Sequence, residues 1–545
     1  MRVVPLIQAG ALLAWLLAPP AATPRQVAGT PAVLSGALFD TAETCMACHN
    51  GMVASSGEDV SIGVAWRPSM MANSSRDPYW QAGVRRETLD HPESAAAVEH
   101  ECAACHMPMM RYEAHANRRT AQVFAHLGAG AMPSMQSRLA ADGVSCTMCH
   151  QIANERLGTK ESFTAGFVVD AQTPAGQRRV FGPFAVDDGR ARIMRSASAF
   201  TPTESAHIQA SETCASCHTL YTHALGAGGA VTGHLPEQVP YLEWRHSAYP
   251  NERSCQTCHM PVLDAPTPVT SVLGQPRAHF SRHEFRGGNF FMPLMLNRYR
   301  RETGVTAPPQ ELDAAARRAV GNLQEEAAAL AIERADARDG RLAAVISIRN
   351  LAGHKLPTAY PSRRVWLHLI VRDRHDRVLF ESGAMSPDGR IHGNDNDADA
   401  ARHELHYDEI TSGDQVQIYE SIMTDRAGAV TTGLLSAVGY VKDNRILPRG
   451  FDKASAGEDV AVHGAAASDE NFTGGGDRVR YTVDVSDGEG PFRIDAELCY
   501  QSIAYRWAKN LRRHDAHEPR RFVRYYDAMA AFSRAVLARA TATTR

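Results

Sequence analysis

Gly143-Val144-Ser145-Cys146-Thr147-Met148-Cys149-His150 carries two cysteines separated by two residues, with a histidine directly after the second. The same C-x-x-C-H pattern stands at Cys45-Cys48-His49, Cys102-Cys105-His106, Cys214-Cys217-His218 and Cys255-Cys258-His259, so ten of the 11 cysteines fall into five such motifs. C-x-x-C-H is the attachment signature of c-type haem. Two thiols form thioethers to the vinyl groups on one edge of the porphyrin, and the intervening residues let the backbone turn so that both sulfurs reach that edge. The adjacent imidazole then lies under the ring as proximal ligand to the iron. Disulfides would suit cysteines in an oxidising compartment, but they leave a histidine after every pair unexplained. A structural zinc needs four ligands, usually from two knuckles, and five pairs each with its own histidine do not make that pattern. The reading is five covalently attached c-type haems, with His49, His106, His150, His218 and His259 as proximal ligands.

The motifs occupy residues 45–259, and a stretch carrying five porphyrins has little room for a conventional side-chain core. The haems themselves are expected to be the core of a domain over 38–299, wrapped in short helices and loops. The unequal intervals between motifs exclude a simple solenoid array. After Pro308-Pro309, which suits a helix start, Leu312, Ala315, Ala316, Val320, Leu323, Ala327 and Leu330 recur near helical period. They predict a helical connector over 310–337. From Arg341 the period changes to that of strands. Residues 342–348, 365–371, 378–380, 416–419, 478–485 and 492–498 read as an antiparallel β-sandwich of roughly seven strands over 341–510, with a hairpin turn at 374–377. Residues 515–545 read as a C-terminal helical segment, with the helix over 521–540. The fold class is α+β: a haem-cored, mostly helical and irregular N-terminal domain, then a helix and a β-sandwich-like domain. Cys499, the eleventh cysteine, lies in an alternating stretch and reads as a buried free thiol acting as a small hydrophobe.

A length of 545 residues predicts two or three domains. Apolar residues at 44% and charged residues at 21% are ordinary globular usage. A formal net charge of -3 offers no basic face for a nucleic acid. Arg2, the apolar residues 6–18 and the small residues Ala21 and Ala22 read as a signal peptide over 1–25. That apolar stretch is short for a bilayer span, and an uncleaved anchor is the competing reading. No later stretch reads as a transmembrane helix. The mature chain is therefore expected to be periplasmic or extracellular, without a stable membrane span. Covalent haem attachment, which takes place outside the cytoplasm, leads to the same expectation.

Each haem iron has a second axial position, and a filled site transfers electrons whereas an open one can bind substrate. Of 24 histidines five are proximal, which leaves 19. Near the motifs, the distal candidates are His100, His207, His279 and His283, with His115, His126, His223, His234 and His246 as a second set. For each of them a surface or structural role competes. Met70 and Met71 offer a thioether, which would raise a haem's potential; packing against porphyrin faces is the alternative. In Asn350-Leu351-Ala352-Gly353-His354-Lys355-Leu356-Pro357-Thr358, Gly353 and Pro357 fix a tight loop between strands from which His354 projects. His354 is suggested to reach back and cap a haem of the first domain, against a local hydrogen-bonding role. Asn394-Asp395-Asn396-Asp397-Ala398-Asp399 spaces its carboxylates as a calcium loop does, but without the EF-hand glycine or terminal Glu. A solvated turn is the preferred reading there.

Trp66-x-x-Ser69 before Asp77-Pro78, the segment from Gly143 to His150, Cys214-Ala215-Ser216-Cys217-His218-Thr219-Leu220, and Trp244-x-x-Ser247 before Cys255-Gln256-Thr257-Cys258-His259-Met260-Pro261 resemble multihaem cytochromes of the c-554 and c-prime type. The resemblance covers most of residues 40–290. The C-terminal half resembles an accessory domain of such exported cytochromes. In that family a histidine often occupies the position of Met71 and caps a haem, so Met71 implies His/Met ligation or an open site. Tyr249 holds the comparable place after Trp244, so that segment supplies no ligand. The resemblance implies electron transfer among clustered haems, between donor and acceptor proteins. An oxidoreductase with one open haem, acting on small nitrogen or sulfur oxyanions, is the alternative, and it would need proton-delivering groups around that haem. The lack of a C-x-x-C-K variant removes one sign of such a site. A structural subunit of a haem polymer or conduit, docking through its β-domain, is a third. Catalytic residues and oligomeric state are not legible.

Overall fold

The computed structural model describes residues 37–127, 132 and 134–544. The signal-peptide reading over 1–25 lies outside them. Among the described residues no helix is long and apolar enough to cross a membrane.

The N-terminal half is built of short helices, turns and small two-stranded sheets. Helices α1 (Pro78–Asp90) and α2 (Ala95–His106) are the two that shape its centre. Asp77 starts α1: its side chain accepts the N–H of Tyr79 at 2.8 Å and of Trp80 at 3.2 Å, and Pro78 supplies a preset first turn. Burial pushes the Asp77 carboxyl up to about 6. The folded state thus holds a proton that the unfolded chain releases, and this part of the stability is lost as pH rises from about 4 to 6. Asp77→Asn keeps the cap without the buried charge. The difference in unfolding free energy between variant and wild type is expected to move in the variant's favour by on the order of 2 kcal/mol between pH 4 and pH 7. Urea melts at the two pH values measure it, and parallel curves would defeat the argument.

Ala82, Leu235, Val239 and apolar residues within 290–296 of this half join the core of the C-terminal half, and the rest of its apolar packing is divided among separate clusters. One is built on Leu38, Met107, Met109, Leu139 and Ile152, others on Ala42 with Trp66, on Met52 with Phe280, and on Phe163 with Tyr241. The C-terminal half differs: its strands share one continuous core. Helix α3 (Pro240–Arg245) lies at the boundary between the halves, and α4 (Pro309–Asn322) leads into the sheets. The main strands are β1 (Ala328–Arg338), β2 (Arg341–Asn350), β3 (Arg364–Arg372), β4 (Val378–Ser382), β5 (Gly476–Asp484), β6 (Arg493–Gln501) and β7 (Arg534–Thr543), with a smaller sheet joining 421–425, 430–431 and 437–443. One sheet runs β4-β3-β6-β7, all antiparallel; the other places β5 between Glu409–Ile410 and β2, with β1 on the far side of β2. Alternate residues enter the shared core: Leu342, Ala344, Ile346 and Ile348 from β2, Val365, Leu367, Leu369 and Val371 from β3, and Ile494, Ala496 and Leu498 from β6. The opposite face of β3 and β6 buries Trp366 and Cys499 with Ile391, Val416 and Ile418. Cys499 is the small buried thiol its alternating stretch suggested, and burial pushes it up to about 12.

Two helical expectations are corrected. The connector read over 310–337 is helical only to Ala327, after which 328–338 is strand β1. The final helix α5 spans His517–Met529, and 534–543 is strand β7. Both segments are rich in Ala and Arg, which favour helix. Cross-strand pairing of β1 to β2 and of β7 to β6 overrides that preference.

The loop at 394–399 is also settled by its partners. Asp397 is buried against Arg364, whose Nη1 and Nη2 each lie 2.9 Å from a carboxylate oxygen, and Asp395 pairs with Arg402 at 2.5 Å. Arg364 stands where a calcium reading would put the cation, so that reading is not carried further.

Candidate haem-binding centres

Cysteine is ordinarily among the most buried residue types. Cys499 obeys this, but all ten motif cysteines keep accessible surface. The residues between them do the packing instead: Ala103-Ala104, Thr147-Met148 and Ala215-Ser216 are buried. The sulfurs nonetheless lie deep enough for burial to push Cys102 up and Cys149 to about 12. Thiols of different motifs meet there. Cys45 and Cys146, Cys105 and Cys217, and Cys214 and Cys255 shift one another's titration, and Cys149 feels the charge of Cys217. The motif at 214–218 thus borders those at 102, 146 and 255, while the motif at 45 borders the one at 146.

Four of the five motif histidines share one orientation. Nδ1 of His49 lies 2.7 Å from the carbonyl of Val269, that of His106 3.1 Å from Ser74, that of His150 2.5 Å from Phe181, and that of His259 contacts the carbonyl of Arg286. A carbonyl can only accept, so Nδ1 carries the proton and Nε2 keeps its lone pair. Burial holds His106 and His218 down at about 4 and lowers His150 and His259. Neutral imidazole with a free Nε2 is the state a metal ligand requires.

Two further histidines complete opposed pairs. The ring centroids of His150 and His283 are 6.3 Å apart with planes 24° from parallel, and those of His259 and His354 are 6.2 Å apart at 14°. These rings are too distant to stack in contact. Two metal–nitrogen bonds of about 2 Å each, plus the reach from nitrogen to ring centre on both sides, give a separation of about 6 Å. His283 and His354 also donate Nδ1–H to carbonyls, of Ser281 at 3.2 Å and Lys355 at 3.0 Å. Burial drives His283 down to about 3 and lowers His354.

The other distal candidates fare differently. His207 spends both nitrogens, Nδ1 accepting from Ser205 Oγ at 2.7 Å and Nε2 donating to the carbonyl of Ile152 at 2.8 Å. Nδ1 of His100 accepts the N–H of Ala121 at 3.0 Å, which puts its proton on Nε2, the atom a metal would need. These two expectations are corrected to structural roles. His279 is exposed on a residue of positive φ, and Met71 is half-buried. Of the second set, Nε2 of His246 is bonded to Asp452, His126 to Ser137, His223 and His234 pair across a hairpin, and His115 lies beside His100. Among the described residues no second imidazole stands opposite His49, His106 or His218; Trp80 stacks on His106 at 4.4 Å.

Sequence reasoning quoted the two Trp-x-x-Ser segments without seeing their geometry. Trp66 donates Nε1–H to the carbonyl of Val144 at 3.1 Å, and Trp244 to that of Arg253 at 3.0 Å. The N–H of Val144 returns to Met71, and that of Arg253 to Tyr249, each at 2.9 Å. Val144 and Arg253 each stand two residues before the first cysteine of a motif, and Met71 and Tyr249 each five after the tryptophan. One clip is used twice, and in both copies a residue other than histidine sits at the fifth place. The residues fit a c-type haem on a further ground: Nε of Arg111, which feels the charge of Cys105, is buried without a partner, as a cation awaiting an acidic group would be.

A buried triad in the β half, His406, Asp469 and Asp477, brings possible metal ligands together. Nδ1 of His406 accepts from Gln417 and Asn444 at 2.9 and 3.0 Å, so Nε2 carries the proton and gives it to Asp469 at 3.1 Å. It is a closed hydrogen-bond network.

No family model matches this sequence, and no curated protein is similar to it. The fold is similar to the crystal structure of a penta-heme cytochrome c552 from Thermochromatium tepidum, with a TM-score of 0.50 and 16% identity, over 93% of this chain and 99% of that one.

Proposed function

We propose that this chain is a multihaem c-type cytochrome that attaches five haems at its five motifs and carries electrons between partner proteins outside the cytoplasm. The observation that carries the reading is the pair of opposed imidazoles, His150 with His283 and His259 with His354, each built on a motif histidine and each ring oriented through Nδ1. Bound haem supplies a reversible one-electron iron couple. The chain's residues do the rest. Paired cysteines hold the porphyrin edge, and backbone carbonyls fix four of the five motif imidazoles. The surrounding peptide excludes water. The haem-binding unit is read as 38–299, and the β-rich unit, whose sheets share one core, as a sandwich-like partner to it. The similar fold of a penta-heme cytochrome supports this reading, and so does the apolar-led, small-residue-ended N-terminus for export.

A second reading has one observation in its favour: His49, His106 and His218 face no second imidazole among the described residues. An open iron at one of them would suit an oxidoreductase acting on small nitrogen or sulfur oxyanions. The mature protein is expected to exceed the mass of its processed polypeptide by five haems. Low-temperature EPR is expected to show at least two low-spin bis-imidazole centres. No covalent haem would defeat the whole reading. A high-spin centre that binds nitrite or carbon monoxide would favour the oxidoreductase, and its absence the carrier.

A further inference from the structure

Glu243 lies on α3, beside Trp244 of the second clip, and is 0% exposed. It is the one member of a buried charge cluster that comes from the N-terminal half. Its Oε1 lies 2.8 Å from Nη1 of Arg445. Arg445 also grips Asp443 through two contacts of 2.8 and 2.7 Å, and Nζ of Lys355 reaches Asp443 at 2.8 Å and the carbonyl of Ala461 at 3.0 Å. Two charges of each sign balance, so burying them is tolerable so long as all remain paired.

The ion pair with Arg445 is the contact of Oε1, which makes no hydrogen bond among the described residues. The other oxygen of Glu243 is spent on the loop that carries His354: Oε2 accepts the N–H of Lys355 at 3.1 Å and the hydroxyl of Thr358 at 2.5 Å. Lys355 is thereby held at its N–H by Glu243 and at its Nζ by Asp443, while its carbonyl takes the Nδ1–H of His354. One short chain of bonds runs from α3 to the ring that faces His259. The loop also lies tight against the clip, since a Cβ added at Gly353 would come within 3.2 Å of Cδ1 of Trp244, and Tyr249 Oη donates to the carbonyl of Leu351 at 2.9 Å.

We propose that Glu243 is a positioning residue that seats His354 opposite His259, so that ligation of this one centre depends on the docking of the β half against the N-terminal half. This rests on the reading of His354 as a ligand. The test uses the mature full-length protein and carbon monoxide as probe. In His354→Ala, one haem in five is expected to bind carbon monoxide when reduced. Glu243→Ala is expected to give the same signal from the same fraction of haem and to displace the midpoint potential of that one centre. Glu243→Gln, which keeps an acceptor for Lys355 and Thr358, is expected to restore wild-type ligation. Asp443→Asn, which disturbs the cluster but not the acceptor, is expected to bind none. If His354→Ala binds carbon monoxide and Glu243→Ala neither binds it nor moves a potential, the positioning role is overturned. If His354→Ala itself binds none, the ligand reading falls instead. Should Glu243→Ala not accumulate, Glu243→Asp shortens the reach; a potential identical to wild type for every centre would overturn the role.

Discussion

A chain in which Cys214 and Cys217 are both serine is expected to mature with four haems and to divide electronically into three groups: the motifs at 45 and 146 together, that at 102 alone and that at 255 alone. The motif at 214–218 borders three others: Cys105 and Cys255 interact with its thiols, and Cys149 feels the charge of Cys217. Removing it leaves the motifs at 45 and 146, which interact through Cys45 and Cys146, apart from those at 102 and 255, and those two apart from each other. Mixed with a soluble reductant protein, wild type is expected to reduce in one coupled process and the variant in three separated phases. Cys45→Ser with Cys48→Ser is the matching control. It also removes one haem, but from a motif that borders only one other, and the remaining four are expected to reduce together. Mass spectrometry counts the haems and stopped-flow spectra count the phases. A single phase at the wild-type rate in the 214/217 variant would mean that this motif is not the junction.

The haem sites were legible where chemistry fixes spacing along the chain. Two thioethers and an adjacent imidazole must lie within five residues, so each motif declares itself. Strands at 342–348, 365–371 and 478–485 were legible because alternation and burial agree there. The distal partners obey no such rule, because a sixth ligand is free to arrive from any sequence distance. His100 and His207 stand close to motif cysteines in sequence, yet both spend their lone pairs on backbone and hydroxyl groups. His283 and His354 come from later loops, and only the second was flagged by its turn residues. Glu243 left no signal at all, since a buried carboxylate looks like any other Glu until its partners arrive from residues 355, 358 and 445. Strands β1 and β7 were misread for a related reason: their Ala- and Arg-rich composition speaks for helix, and pairing with β2 and β6 decides otherwise.

Arg364→Met is expected to be the most destabilising single change in the β-rich half, by about 3–5 kcal/mol. Arg364 is 1% exposed, and its guanidinium is fully engaged: both Nη groups on Asp397, Nε on Gln501 at 2.9 Å, and Nη2 also on the carbonyl of Gly389 at 3.1 Å. Asp397 has one other side-chain contact, the N–H of Ile391 at 2.9 Å. Methionine would fill the volume but leave that carboxylate buried with a single donor, which is the expensive way to break a buried pair. For a unit of this size the midpoint of thermal unfolding is expected to fall by roughly 6–20 °C. The double variant Arg364→Met with Asp397→Leu separates the cause. If the loss comes from the stranded charge, removing it as well returns most of the stability, because an apolar pair of similar volume often matches a buried ion pair. If instead the fork of Arg364 is needed to tie β3 to β6 and to the 389–397 loop, the double variant stays as unstable as the single one. Haem content and spectra are expected to be unchanged in both, since the side-chain bonds of the pair run to Gln501, Gly389 and Ile391 and none runs to His354 or to a motif residue. A loss of low-spin signal alongside stability would place the pair in the path that seats that ligand.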